Sequence, residues 1–129
     1  MNVKIDTKEK FSVLLLEETD LSANMSENLT ELLRLFLSKP IPHLILSMKN
    51  VQNMDKSVAQ KLSAIQQEFY EKNCSFVICE LNKSVEIMLD ELGLLEYMNY
   101  TPTESEAWDI VQMEEIEREL LGDFDENTV

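Results

Sequence analysis

Residues 44–79 contain two short apolar runs separated by an amphipathic stretch, and this pattern constrains the fold more than any other part of the sequence. The first run, Leu44-Ile45-Leu46, follows two prolines and stops at a serine, which is typical of a buried strand. Apolar residues then recur at i, i+4, i+7 and i+11, the spacing of one helix face, at Val58, Leu62, Ile65 and Phe69. The second run, Ser75–Cys79, predicts another strand. A strand, a helix and a strand in succession predict parallel pairing.

The flanking segments extend this pattern on both sides. Apolar residues in Val3–Ile5 and Phe11–Leu16 predict two strands that pair as a hairpin. Residues 97–100 are a candidate last strand, and Gly93 is a candidate left-handed residue just beyond the third helix. Helices are expected to begin near four capping residues, Asn24, Asp55, Asn82 and Thr103. The sequence therefore predicts one α/β domain with a mixed sheet of four or five strands and about four helices.

The chain of 129 residues has a formal net charge of −14, and much of that charge lies at its C-terminal end. Residues 104–129 contain ten Asp and Glu residues against Arg118 alone. Because no basic patch could neutralise phosphates, we expect neither nucleic acid nor anionic membrane as a partner. No apolar run is long enough to cross a bilayer, and the first residues lack the apolar core of a signal peptide. We expect a cytoplasmic protein without membrane insertion.

Residue types that carry catalysis or bind cofactors are sparse. Two glycines leave no room for a Gly-rich phosphate loop or a dinucleotide fingerprint, and no nucleophile elbow or His pair is present. His43 is the single histidine, and Cys74 and Cys79 would point to opposite faces of a strand. We therefore expect no enzyme activity, no metal and no cofactor. A phosphate-accepting receiver domain shares the α/β layout, but it needs a Lys late in the chain and none follows Lys83.

The start of the second helix is the strongest candidate functional site. Asp55 is a natural N-cap, and the first turn of a helix presents free backbone N–H groups at the positive end of the helix dipole. This environment stabilises a phosphoryl group, so a hydroxyl there would be a good phosphoacceptor. Ser57 places a hydroxyl in this turn.

An apolar strand, a spacer with two apolar positions and an Asp that opens a helix together resemble the STAS domain, the fold of the bacterial anti-sigma factor antagonists. The matching residues here are Leu44-Ile45-Leu46, Val51, Met54, Asp55, Leu62 and Ile65. A second match lies in the third helix, where Val85, Met88 and Leu89 are followed by Leu92-Gly93-Leu94-Leu95. The resemblance spans residues 3–111. Lys56 stands where the family has its phosphorylated Ser, Ser57 matches the second hydroxyl position, and Val58 replaces a Gly.

The resemblance implies a STAS-like domain over residues 1–113, with residues 114–129 as an acidic helix extension and tail. It also implies a non-enzymatic interaction module that binds an anti-sigma factor with a serine kinase-like fold through the loop and helix start at 53–62. The implied partner-binding residues are Asn53, Met54, Asp55, Lys56, Ser57, Val58 and Lys61, and Ser57 is the candidate phosphorylation site.

Lys56 at the acceptor position leaves three alternatives open. The protein could bind its partner constitutively, its switch could lie at Ser57, or it could be a STAS subunit recruited elsewhere, for example by a membrane lipid transporter. A structural alternative is a domain that only scaffolds or dimerises through its C-terminal helix. The extra turns of that helix could cap the domain, pair with another subunit or fray. A monomer or a weak homodimer is expected. Residues 123–129 are expected to be disordered.

Overall fold

The computed structural model describes residues 1–128, with side chains as far as Leu121. In chain order the elements are β1 (Val3–Thr7), β2 (Ser12–Leu16), β3 (Asp20–Leu21), α1 (Ser26–Leu37), β4 (Leu44–Ser47), β5 (Asn53–Met54), α2 (Lys56–Glu71), β6 (Phe76–Cys79), α3 (Lys83–Glu91), β7 (Tyr100–Thr101) and α4 (Glu104–Thr128). The expected disorder of residues 123–129 lies outside the residues whose side chains are described, and it stays a prediction. No helix within the described residues is long and apolar enough to span a bilayer.

Five strands form the main sheet in the order β1-β2-β4-β6-β7. The β1 and β2 strands pair antiparallel as the predicted hairpin, and the other neighbours are parallel. The central register places Ile45 of β4 between Val13 of β2 and Val77 of β6. The predicted mixed α/β sheet is therefore confirmed.

The last strand, β7, begins at Tyr100, so the predicted strand over residues 97–100 is shifted. Residues 95–97 form a 3₁₀ turn instead. The cause lies at the end of α3, where Gly93 has a φ of 71° and the N–H of Leu94 donates to the carbonyl of Leu89. This left-handed ending, which the sequence predicted at Gly93, keeps the chain turning before it can extend.

Side chains of the parallel strands alternate between the two faces of the sheet, and each face carries its own helices. Leu44, Leu46 and Ile78 lie in the core that α1, α2 and α3 cover. On the opposite face, Ile45 and Val77 contact α4 through its buried residues, Ala107 and Val111. The STAS-like domain is thus a three-layer structure in which α2 and α4 lie on opposite sides of the sheet.

The predicted helix starts carry the expected caps at three of four positions. The Asp55 and Asn82 side chains accept backbone N–H groups at the start of α2 and α3, and Thr103 Oγ1 accepts the N–H of Glu106 at the start of α4. The first helix begins at Ser26, after a 3₁₀ turn over Ala23–Met25, and its cap makes no side-chain hydrogen bond.

A polar cluster attaches the later turns of α4 to the residues that immediately precede β4 and β6. Arg118 donates hydrogen bonds to Ser75 Oγ at 3.0 Å and to Glu115 at 3.2 Å. His43 Nε2 lies 3.2 Å from Glu115, and His43 Nδ1 accepts the Ser75 N–H at 3.1 Å. The turns as far as Arg118 therefore cap the domain, one of the three roles that the sequence left open.

Candidate functional site

The candidate site is built on the cap of helix α2. Asp55 has an extended backbone and its Oδ1 accepts two hydrogen bonds from Ser57, one from the backbone N–H at 2.9 Å and one from the hydroxyl at 2.6 Å. These two hydrogen bonds lower the pKa of Asp55 below its ordinary value, the hydroxyl bond being the larger cause. The carboxylate is therefore ionised at neutral pH, and the Ser57 hydroxyl points toward it.

A two-stranded parallel ribbon holds the loop that precedes this cap. It pairs β3 with β5, so that Asp20 lies opposite Asn53 and Leu21 lies opposite Met54. Asn53 Nδ2 donates to Asp20 Oδ1 at 2.7 Å, and the N–H of Asp55 donates to the carbonyl of Leu21. Because its backbone is hydrogen-bonded to a second segment, the loop presents a fixed surface.

Sequence reasoning did not place Asp20 or Ser84 in this site. Ser84, in the first turn of α3, donates to the carbonyl of Gln52 at 2.8 Å and supports the same loop from the other side. Strands of two residues are too short to show a periodic pattern. One sequence feature could have indicated the pairing of β3 with β5. Asp20-Leu21, ahead of the first helix, has the same polar–apolar order as Asn53-Met54.

The structure divides the predicted partner-binding residues into two groups. Met54 is 8% exposed and Val58 is fully buried, and both pack in the core beneath α2. These two side chains support the loop from beneath, and their predicted contact with a partner stays a prediction. The surface group consists of exposed Asn53, Asp55, Lys56 and Lys61 with partly exposed Ser57. We call this group the α2 turn surface.

Lys56 occupies a position where helix stability would favour a negative charge. Apart from its cap, the first turn of α2 contains no acidic residue, whereas α1, α3 and α4 each have at least one there. A cation at a helix N-terminus opposes the dipole by roughly 0.3–1 kcal/mol. Within the described part of the chain, neither Lys56 nor Lys61 forms a salt bridge. Both charges are therefore available to a partner.

The α2 turn surface is open to solvent. A groove of about 590 Å³ lies instead beside the middle of α2, lined by residues such as Tyr70, Tyr97 and Glu114 and by none of residues 53–57. Across the residues that the structure describes, no group of three His, Cys, Asp or Glu side chains could hold a metal ion. An exposed turn that is held by backbone hydrogen bonds and carries Lys56, Lys61 and the ionised Asp55 suits polar contact with another macromolecule.

Comparisons with known proteins agree on the fold. The STAS domain model matches residues 2–107. The anti-sigma F factor antagonist of Paenibacillus polymyxa is 26% identical over 103 residues, which are 76% of this chain and 86% of that protein. The crystal structure of an anti-sigma factor antagonist from Mycobacterium paratuberculosis has a TM-score of 0.72 at 16% identity, covering 86% of this chain and 93% of the other.

The same fold also occurs as part of a larger membrane protein. The structure of murine Solute Carrier 26 family member A9, an anion transporter, superimposes with a TM-score of 0.68 at 16% identity. The match covers 81% of this chain but only 18% of the transporter. Together with the family model, which spans most of the sheet and its helices, these findings lead to one conclusion: this chain belongs to the STAS domain family.

Proposed function

We propose that this protein is an interaction module of the anti-sigma factor antagonist type, which binds an anti-sigma factor with a serine kinase-like fold through the α2 turn surface. The observation that carries the proposal is the exposed Lys56, which forms no salt bridge with the described residues. It lies at the start of a helix whose cap is held by the β3–β5 ribbon. The similarity to an anti-sigma F factor antagonist supports the class of partner.

The charge of the α2 turn surface indicates which part of a partner it fits. The protein is strongly acidic overall, but Lys56 and Lys61 place two cations on this exposed part of α2. The positive end of the helix dipole adds to their attraction for anions. A partner that docks here would present carboxylates or another anionic group to the first turns of α2.

Ser57 is the residue through which this contact would be switched. Its hydroxyl oxygen lies 2.6 Å from the ionised carboxylate of Asp55. A phosphoryl group there would bring a charge of about −1.5 to −2 against that carboxylate. The two anions would repel, so Asp55 would leave its cap and the phosphate would accept the Ser57 N–H that Asp55 releases. Phosphorylation would then change both the charge and the shape of the α2 turn surface.

The experiment is a capture of binding partners from the native host with the immobilised protein. Three baits are compared: the unchanged protein, Lys56→Glu and Lys72→Glu, the last being an exposed Lys at the other end of α2 with the same change of charge. We expect a kinase-fold anti-sigma factor with the unchanged protein and with Lys72→Glu, and a reduced amount with Lys56→Glu. Equal recovery by all three baits would place the contact elsewhere.

A second candidate is a STAS subunit that regulates a membrane transporter, which the likeness to part of an anion transporter favours. The same capture separates the two candidates, because recovery of a transporter component in place of an anti-sigma factor would support the second. Recovery of the protein itself alone would support a domain that only dimerises.

A further inference from the structure

Helix α4 has two apolar stripes on opposite faces, and the domain covers one of them. Ala107 and Val111 are fully buried against the sheet, whereas Met113, Ile116 and Leu120 are 56%, 56% and 64% exposed. At about 100° per residue, Leu120 lies about 180° around the helix from Val111. The uncovered stripe lies beyond residue 107, where the family match ends.

The spacing of the exposed residues is that of a helix-pairing seam. Met113, Ile116 and Leu120 are separated by three and then four residues, as the a, d and a positions of a heptad are. Arg118 falls at the f position of this heptad, opposite the seam. Its contact with Ser75, together with the contact of Glu115 with His43, holds that side of α4 against the domain. The polar cluster therefore fixes the rotation of α4 so that the seam faces outward.

The flanking charges determine what can cover the seam. The e and g positions beside Ile116 and Leu120 are Glu117 and Glu119, both exposed. From residue 104 to 121 there are seven acidic residues and a single basic one, Arg118, which faces the domain. A second copy of α4 would bring the same glutamates together, and like charges across a seam oppose pairing.

From these observations we propose that the exposed seam of α4 binds an amphipathic helix of another protein that carries Lys or Arg beside its apolar stripe. This surface is distinct from the α2 turn surface, because α4 and α2 pack on opposite faces of the sheet. One domain can therefore hold two partners at once, an anionic one at the α2 turn surface and a cationic helix on α4.

The test uses three synthetic 21-residue peptides and the full-length protein, with affinity measured by fluorescence anisotropy. The first peptide has Leu at the a and d positions and Lys at e and g, the second has Glu at e and g, and the third is a shuffled version of the first. We expect the first to bind at least about tenfold more tightly than the other two, a difference of about 1.4 kcal/mol. Equal binding of the shuffled peptide would overturn the proposal, because attraction to the net charge alone would explain it.

Variants of the protein make the test specific to the seam. The double variant Ile116→Gln/Leu120→Gln should lose at least about tenfold in affinity for the first peptide. Ile87→Gln, at an exposed apolar residue of α3, should bind it as the unchanged protein does. The charge-reversed variant Glu117→Lys/Glu119→Lys should prefer the peptide with Glu at e and g. Undiminished binding by the double Gln variant would contradict the proposal.

Two further measurements separate the remaining outcomes. Sedimentation of the unchanged protein should show a monomer. The proposal would be overturned if the protein formed a dimer that the double Gln variant abolishes and also bound no peptide. A second copy of the chain would then be the occupant of the seam. Lys56→Glu should leave peptide binding unchanged. Failure of the α2 turn surface to bind a partner therefore does not count against the seam on α4.

Discussion

The Ser57 hydroxyl donates a hydrogen bond across 2.6 Å to Oδ1 of Asp55, the residue that caps the same helix. The carboxylate is exposed, yet it accepts the backbone N–H of Ser57 as well, so its negative charge is held at the helix start. Ser57 and the cap residue Asp55 are thus one structural unit. Any change of charge at Ser57 acts first on Asp55 and then on the exposed side chains around it.

The lowered pKa of Asp55 predicts how the cap responds to acid. Because the folded-state pKa lies below the ordinary value of 3.8, the carboxylate contributes stability that is fully present above pH 3.8 and is lost as pH falls through the folded-state pKa. Replacing Asp55 by Asn keeps an N-cap residue but removes the charge. We expect the unchanged protein to be more stable than Asp55→Asn at neutral pH, and the difference to shrink in acid.

Urea unfolding of both proteins at a series of pH values between neutrality and acid measures this difference. The other carboxylates are common to both proteins and cancel in the comparison. A difference in unfolding free energy that is constant with pH would show that the charge of Asp55 does not stabilise the cap.

The single histidine allows a second electrostatic prediction. His43 has a pKa below its ordinary value of 6.5 because of partial burial and, next, the nearby Arg118, although Glu115 and Glu114 act in the opposite direction. The neutral ring fits its hydrogen bonds, since Nδ1 accepts the Ser75 N–H. The unfolded chain therefore binds the proton more readily, and stability should fall as pH drops below 6.5 toward the folded-state pKa.

An NMR titration of the His43 ring resonances measures that pKa directly, without interference from other histidines. We expect a midpoint below 6.5 in the unchanged protein and a higher midpoint in Arg118→Ala, which removes the nearby cation. A midpoint above 6.5 in the unchanged protein would mean that Glu115 outweighs burial and Arg118.

The packing beneath α2 predicts that shortening a buried side chain there destabilises the protein far more than shortening an exposed neighbour. Phe69 is fully buried and its ring meets Phe76 edge-on, with ring centroids 4.9 Å apart. Phe69→Ala should lower the free energy of unfolding by about 3–5 kcal/mol, because it leaves a cavity. The neighbouring Tyr70 is 78% exposed, so Tyr70→Ala should change the free energy of unfolding by less than about 0.5 kcal/mol. Denaturation curves for both variants check this contrast, and similar losses in the two would contradict the packing described.

Local sequence signals predicted most of the fold and only part of the site. Asp55 and Asn82 could be recognised as caps because capping depends on neighbouring residues, and the strand and helix periods of β4 and α2 were visible over short windows. The contact between Asn53 and Asp20 joins segments 33 residues apart, and that between Arg118 and Ser75 spans 43. Neither leaves a local pattern. The sequence placed Val58 both on the apolar face of α2 and among the partner-binding residues, and the structure buries its side chain with that of Met54 in the core.

The central claim is that the α2 turn surface is the partner-binding surface, and its most direct test is the dissociation constant of the purified partner that the capture identifies. The protein is compared with Lys56→Glu, Ser57→Asp and the control Lys72→Glu, each shown to be folded by circular dichroism. We expect Lys56→Glu and Ser57→Asp to weaken binding at least about tenfold, or about 1.4 kcal/mol, and Lys72→Glu to leave it unchanged. Identical dissociation constants for all four proteins would contradict the claim.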